Sequence, residues 1–215
     1  MKERPILFSG EMVRAILAGR KTQTRRVIKP QPELRTGVWG GPYLASTKKN
    51  HKVGSGDQSC PYGEPGARLW VRETWRTVKT YDHLKPSDIP MGDAGRWPVV
   101  WTKTSFLYSD YIEKYVGKWR RSIFMPRWAS RITLEVTDVR VERVQSITRN
   151  DAKAEGVSNR WHWGPDRDPN LFLRGTLNPY VANFSVLWDS INSKRGYGWD
   201  VNPWVWVVVF QKAEG

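Results

Sequence analysis

The clearest alternation of apolar and polar positions runs from Ile132 to Val144, through Leu134, Val136, Val139 and Val141. A period of two puts one face in a core, so the stretch predicts a long strand, or two joined by a bend near Asp138. Arg68-Leu69-Trp70-Val71-Arg72-Glu73-Thr74-Trp75 alternates through Val71 behind a Pro65-Gly66 turn, and Trp97 to Thr102 predicts another strand. Pro5-Ile6-Leu7-Phe8 is a short apolar strand. Trp204-Val205-Trp206-Val207-Val208-Val209-Phe210 is apolar on both faces, which predicts a central strand. Phe106 to Tyr115 is aromatic without a period and predicts neither element.

Helical spacing follows Ser9, where Met12, Ala15 and Ile16 recur on one face and the helix runs to about Ala18. Ser9 suits the N-cap and Gly19 the stop. A short helix through Asp151, Ala152 and Ala154 is predicted behind a cap at Ser146 or Thr148, ending at Gly156. Glu155 lies at its C-terminal end, where a carboxylate opposes the helix dipole and needs some other partner. The longest helix starts near Pro179, with Val181, Phe184, Leu187, Trp188 and Ile191 as its apolar stripe.

Between these elements the chain is rich in Pro and Gly. Residues 30–60 predict an irregular insertion carrying a basic run at Lys48, Lys49 and Lys52, with further insertions near 77–123 and 158–178. Five or six strands and three short helices without βαβ alternation read as α+β, with a small curved sheet or barrel, in one decorated domain spanning 1–215.

Composition narrows the classes of partner. With 39% hydrophobic and 26% charged residues, the chain is not of the disordered type. A formal charge of +14 favours an anionic partner, most simply nucleic acid or a nucleotide. Thirteen tryptophans suggest aromatic-pinned loops, a few of them able to stack on bases. Cys60 is the only cysteine and His51, His83 and His162 are scattered, so neither an internal disulfide nor a metal or other cofactor is expected. The start of the chain lacks a secretory apolar run, and Trp204–Phe210 is too short to span a bilayer, so a cytoplasmic protein without a membrane partner is expected.

Candidate chemistry concentrates in Gly19-Arg20-Lys21-Thr22-Gln23-Thr24-Arg25-Arg26. A turn glycine followed by cations and hydroxyls offers phosphate contacts, or a nucleophile with a base beside it. Taken with Ala154-Glu155-Gly156 and the hydrophobic final strand, this order of parts resembles an ASCH domain, a PUA-like β-barrel family whose hallmark is G-x-K-x-x-T-x-R. The matching residues are Gly19, Lys21, Thr24 and Arg26. The chain is similar in particular to phage and prophage members, which share the Pro5-Ile6-Leu7-Phe8-Ser9 start and the Tyr197-Gly198-Trp199 neighbourhood. A departure is Ala67, where many members carry an aspartate.

The resemblance implies a small mixed or antiparallel barrel with flanking short helices, and two classes of function. Small bacterial members hydrolyse the amide of N4-acetylcytidine with a Lys, a Thr and a Glu, which match Lys21, Thr24 and Glu155. The alternative is a non-catalytic or nuclease-like RNA- or DNA-binding module of phage origin. On the first reading the partner is a modified cytosine nucleoside or nucleotide, with Thr24 as nucleophile, Lys21 as its base and Glu155 as the acid or cytosine contact. Arg20, Arg25 and Arg26 are then substrate-side cations, with Glu73, Trp75 and Tyr197 as further substrate contacts; an ion pair of Glu73 with Arg72 or Arg76 is the other reading of that carboxylate. On a flat strand, residues three apart face opposite ways, so Lys21 and Thr24 require a turn, a bulge or a curled lysine.

Overall fold

A computed structural model describes residues 3–36, 42–45, 52–53, 60–90, 99–104, 114–158 and 178–213. The strands in chain order are β1 (Glu3–Leu7), β2 (Gln23–Val27), β3 (Glu33–Thr36), β4 (Pro42–Ala45), β5 (Lys52–Val53), β6 (Arg68–Arg72), β7 (Trp75–Arg76), β8 (Trp101–Thr102), β9 (Thr133–Arg143) and β10 (Trp204–Lys212). The helices are α1 (Gly10–Leu17), α2 (Arg149–Ala154) and α3 (Pro179–Asn192). The architecture is α+β. Its main sheet has five strands in the order β1-β6-β9-β10-β2, and the described residues also form a three-stranded sheet β3-β4-β5 and a two-stranded sheet β7-β8.

The five-stranded sheet is mixed. β1 runs parallel to β6, while β6 with β9 and β10 with β2 are antiparallel. Val144 N–H donates to Pro203 O and Ala213 N–H to Thr133 O, which sets β9 antiparallel to β10 along its length. Among the described residues the strand order is open and no closed barrel forms. β10 is interior to the sheet, as its two apolar faces demand, with Val205, Val207 and Val208 all inaccessible to solvent.

The chain forms two compact units, each built from separate segments. The first comprises residues 1–18, 67–135 and 212–215; the second comprises 19–66 and 136–211. In the first, α1 buries Val13, Ala15 and Ile16, and a cluster of Trp75, Ile89, Met125 and Ala129 packs with Trp128 set edge-on to Trp75 at 5.8 Å. In the second, Val144, Ile147 and Ala152 meet Phe184 and Trp188 of α3, Trp199, and Val205 and Val207 of β10.

Caps fall where hydroxyls predict them. Ser9 accepts from Met12 N–H, and Thr148 forms a reciprocal capping box with Asp151. Gly19, at φ +69, takes the left-handed turn that ends α1.

Three expectations need correction. Where the insertion is described, Glu33–Thr36, Pro42–Ala45 and Lys52–Val53 pair as a three-stranded antiparallel ladder rather than running irregularly. Pro42 misleads there, since it stands first in β4, the position in a strand that tolerates a missing N–H. The predicted Trp97–Thr102 strand is confined to β8 within the described residues, Trp97 and Pro98 lying outside them. In α3 the buried face is Ala182, Phe184, Ser185, Trp188 and Asn192, and Ile191 is exposed. Small Ala182 and Ser185 permit close approach, so packing rather than hydropathy sets the rotation. The basic run at 48–51 and most of 106–115 lie outside the described residues.

This rotation is measurable. Trp188→Ala should lower stability by about 3–5 kcal/mol, through lost burial and a cavity, and should strand the Tyr197 carbonyl that its indole N–H now reaches at 2.8 Å. Ile191→Ala should stay within about 0.5 kcal/mol in the same urea titrations. Equal losses would restore the hydropathy-based orientation.

Candidate functional site

β2 closes one end of the five-strand order. Thr22 O accepts from Phe210 N–H at 2.8 Å and Ile28 N–H donates to Trp204 O at 3.1 Å, so even-numbered residues turn these groups inward to β10. The carbonyls of Gln23 and Arg25 therefore face the outer edge. An open strand edge and the end of a helix each leave backbone groups without partners, and here each satisfies the other. Thr22 N–H donates to Ala154 O at 2.8 Å, and Lys21 forms an isolated antiparallel bridge with Glu155.

Into this junction the Lys21 side chain curls. Its ammonium donates to Gln23 O at 2.8 Å, to Glu155 O at 2.9 Å and to Glu155 Oε2 at 2.8 Å. An ammonium has three N–H donors, and all three are engaged. Lys21 is 2% exposed and Glu155 5%. The lysine thus neutralises the carboxylate and caps the helix carbonyl beside it, which resolves the unfavourable placement of Glu155 against the dipole. Burial pulls the Lys21 pKa below its ordinary 10.5; Glu155 opposes that shift, and Arg26 and Arg25 add to it.

Arg25 locks the arrangement from the strand. Its guanidinium lies 2.9 Å from Glu142 Oε2, 3.4 Å from Asp151 Oδ2 and 3.5 Å from Glu155 Oε1, and its side chain has no exposed area. Arg140 binds the far oxygens of Glu142 at 2.6 Å and Asp151 at 3.0 Å. Gln23 Nε2 reaches Asp151 O at 3.3 Å. Burial pushes the Asp151 carboxyl up, but hydrogen bonds from Thr148 and the charge of Arg25 more than offset that and leave it below its ordinary 3.8.

Thr24 pairs in register with Val208 and is 4% exposed; among the described residues its hydroxyl has no hydrogen-bond partner. Strand alternation places it on the face opposite Gln23 and Arg25. Regular pleating does not extend back to Lys21, however. Thr22 sends its N–H outward and its carbonyl inward, and the lysine curls to the strand's edge.

The sequence-predicted residues divide accordingly. Lys21, Glu155 and Arg25 form one cluster, with Thr24 in the adjoining strand position. Arg26 is half-buried on β2, its guanidinium 5.8 Å from the centre of the Tyr62 ring, and it feels the charges of Glu155 and Arg195. Tyr197 is half-buried and receives the Lys29 amine over its ring at 4.9 Å. Arg20 is exposed.

Glu73 and Trp75 belong to the other unit and make their contacts within it. Trp75 has no exposed surface, so it packs the core instead of offering a face to a base. The Glu73 carboxylate is held by Arg131 at 3.0 Å and by Thr104, not by the neighbouring arginines expected from sequence. Those two stack instead, Arg72 over Trp70 at 4.6 Å and Arg76 over Trp119 at 4.2 Å. Arg25, expected at the substrate, is spent on carboxylates of its own chain.

Sequence reasoning missed Gln23, Glu142, Asp151 and Arg140. Period two on one strand face would have joined Arg140 to Glu142, and the Thr148-x-x-Asp151 box marks Asp151. Among the described residues, no group of three or more His, Cys, Asp or Glu side chains is arranged to hold a metal ion, and no helix is long and apolar enough to cross a membrane. No protein-family profile, curated protein or solved structure matches the chain.

Two outcomes follow from the buried pair. Lys21→Met, which leaves Glu155 with only the longer contact to Arg25 at 3.5 Å, and Glu155→Gln, which leaves the Lys21 ammonium without a carboxylate, should each cost about 3–5 kcal/mol, and the double variant should cost much less than the sum. Additive losses in a double-mutant cycle would show that the pair is not coupled. With its folded pKa lowered, Asp151 contributes stability that is full above about pH 4 and is lost as pH falls through the folded value. Denaturation between about pH 5 and pH 2 should therefore show a shallower acid limb in Asp151→Asn.

Proposed function

We propose that the chain is an amidohydrolase of N4-acetylcytidine-type substrates, working at the junction of β2 and α2. The observation that carries this reading is a lysine buried to 2% whose ammonium meets a buried carboxylate 134 residues away, three positions before a buried threonine whose hydroxyl has no partner among the described residues. Its fold counterpart is that the mixed sheet is the core of a PUA-like barrel of the ASCH type. The long β9, the short helix ending at Glu155 and the hydrophobic β10 follow one another as that reading requires.

The chemistry begins with a proton passing from the Lys21 ammonium to Glu155 Oε2, 2.8 Å away. Burial and the flanking guanidinium groups favour the neutral amine, whose two remaining donors match Gln23 O and Glu155 O. Its lone pair then serves as the base. An amine at a strand's edge is not confined to one face, so it can take the Thr24 Oγ proton as that oxygen attacks the acetyl carbonyl. The tetrahedral adduct collapses as the C–N bond breaks, and the exocyclic nitrogen takes a proton from the Lys21–Glu155 pair, releasing cytidine. Water then gives a proton to the same amine as it attacks the threonyl ester; the bond from carbonyl carbon to Thr24 Oγ breaks, Oγ takes that proton back, and acetate leaves. Glu155 holds the ammonium between these transfers and so sets when it can give its proton up.

The alternative, a non-catalytic or nuclease-like RNA- or DNA-binding module, draws on the positive charge, the enlarged basic loops and the tryptophan count. A neutral nucleoside makes no use of that charge.

Incubation with N4-acetylcytidine, followed by the change in cytosine absorbance, tests the proposal. Wild type should release cytidine and acetate, and Glu155→Gln should lose about 10²–10⁴-fold in kcat/KM, the usual worth of a positioned proton-transfer group. Thr24→Val removes the hydroxyl at constant shape and no charge; it should abolish turnover, while Thr24→Ser retains it. Folded wild type that leaves the substrate intact refutes the reading.

A further inference from the structure

Residues 114–131 of the first unit carry six cations, Lys114, Lys118, Arg120, Arg121, Arg127 and Arg131, and no carboxylate. The fold consumes half of them. Arg120 turns inward to the carbonyls of Leu84 and Tyr81, Arg127 pairs with Glu3, and Arg131 with Glu73. Lys114, Lys118 and Arg121 are exposed, and no acidic side chain among the described residues pairs with them.

Among these cations stand apolar groups that the core does not use. Trp119 is 40% exposed, Ile123 50% and Phe124 58%. The Arg76 guanidinium lies 4.2 Å from the centre of the Trp119 ring and the Lys103 amine 5.6 Å, so the most exposed indole of the segment is flanked by positive charge.

The backbone beneath is fixed. Arg120 and Trp75 exchange N–H···O bonds at 2.8 and 3.2 Å, and Gly117 N–H donates to Thr77 O at 2.7 Å. Lys118 N–H is held between both oxygens of Asp82 at 3.0 Å. At Gly117 an added Cβ would sit 2.2 Å from Asp82 Oδ1, so only glycine lets that carboxylate lie against the chain. Trp119 is thus presented on a rigid edge, which reduces the ordering cost of binding.

We propose that this edge, built by Lys118, Trp119, Arg121, Ile123 and Phe124 with Lys103, binds single-stranded nucleic acid. Bases stack on the exposed aromatic rings while the unpaired cations follow the phosphates, a combination that needs unpaired base faces and so excludes a duplex. A lipid surface is less well matched. The exposed apolar residues sit on a turn of three residues, Ser122–Phe124, with no amphipathic helix behind them to lie in an interface. The proposal stands apart from amide hydrolysis and does not depend on it.

Fluorescence anisotropy of a labelled single strand of about 12 nucleotides tests it, with RNA and DNA arms, a duplex of equal length and anionic phosphatidylserine vesicles as competitors. Wild type should bind either strand, losing affinity steeply between about 50 and 200 mM salt. A preference for RNA would point to 2′-hydroxyl contacts and equal affinity to stacking and phosphate alone, both within the proposal. Trp119→Ala should weaken binding about tenfold to a hundredfold, the effect of one lost base stack, and Trp119→Phe should keep most of it. A Lys118→Glu/Arg121→Glu variant should lower the salt slope by at least about 2. Affinity unchanged in both Trp119→Ala and the charge variant, a duplex bound as tightly as the strand, or association with vesicles alone would overturn the proposal.

Discussion

A carboxylate at the C-terminal end of a helix is in the wrong place electrostatically, and the second unit is arranged around correcting it. Glu155 adds a full negative charge where the helix already presents carbonyl oxygens. One buried ammonium meets both. Because Lys21 reaches Glu155 O and Oε2 together, the same contact caps α2, covers the outer edge of β2 and fixes the carboxylate. The cost is a lysine nearly without water, which is the condition under which a lysine becomes a usable base near neutral pH.

Arg25 shows why the cluster stays assembled when charges within it change. A guanidinium holds its proton under any physiological condition and presents donors in a fixed fork. It binds carboxylates from β9, α2 and the residue after α2, with Arg140 closing the far side. When Lys21 changes protonation state, the carboxylates keep a permanent cation between them. The two cations differ in role because they differ in chemistry: the one that can titrate faces Glu155, and the one that cannot ties the elements together.

Local patterns made much of this readable. Period two identified β9, a run apolar on both faces identified β10, hydroxyls identified the caps of α1 and α2, and the misplaced Glu155 signalled a missing partner before any partner was known. The partner itself was not readable from spacing, since 134 residues separate Lys21 from Glu155 and only the pairing of β2 with the end of α2 brings them together. Arginines were the least readable residues. Sequence gives Arg25, Arg26, Arg72 and Arg76 equal status, whereas the fold sends the first to carboxylates, the second to Tyr62, and the last two to indole faces. Short strands behind prolines, as in β3 to β5, escape for another reason: two to four residues carry too little period to outweigh the turn residues around them.

Charge is spent unevenly along the chain, and that contrast separates the two surfaces. Around Glu155 the Lys21 and Arg25 cations are taken up by carboxylates and carbonyls, so the field there is short-ranged. Along 114–124, positive charge is left over after the fold has taken what it needs, and it surrounds rings that the core left exposed. A small neutral substrate has no use for the second arrangement, and a polyanion has no way to enter the first without breaking its ion pairs. Net charge of +14 is therefore better accounted for by the proposed strand-binding edge than by the buried site.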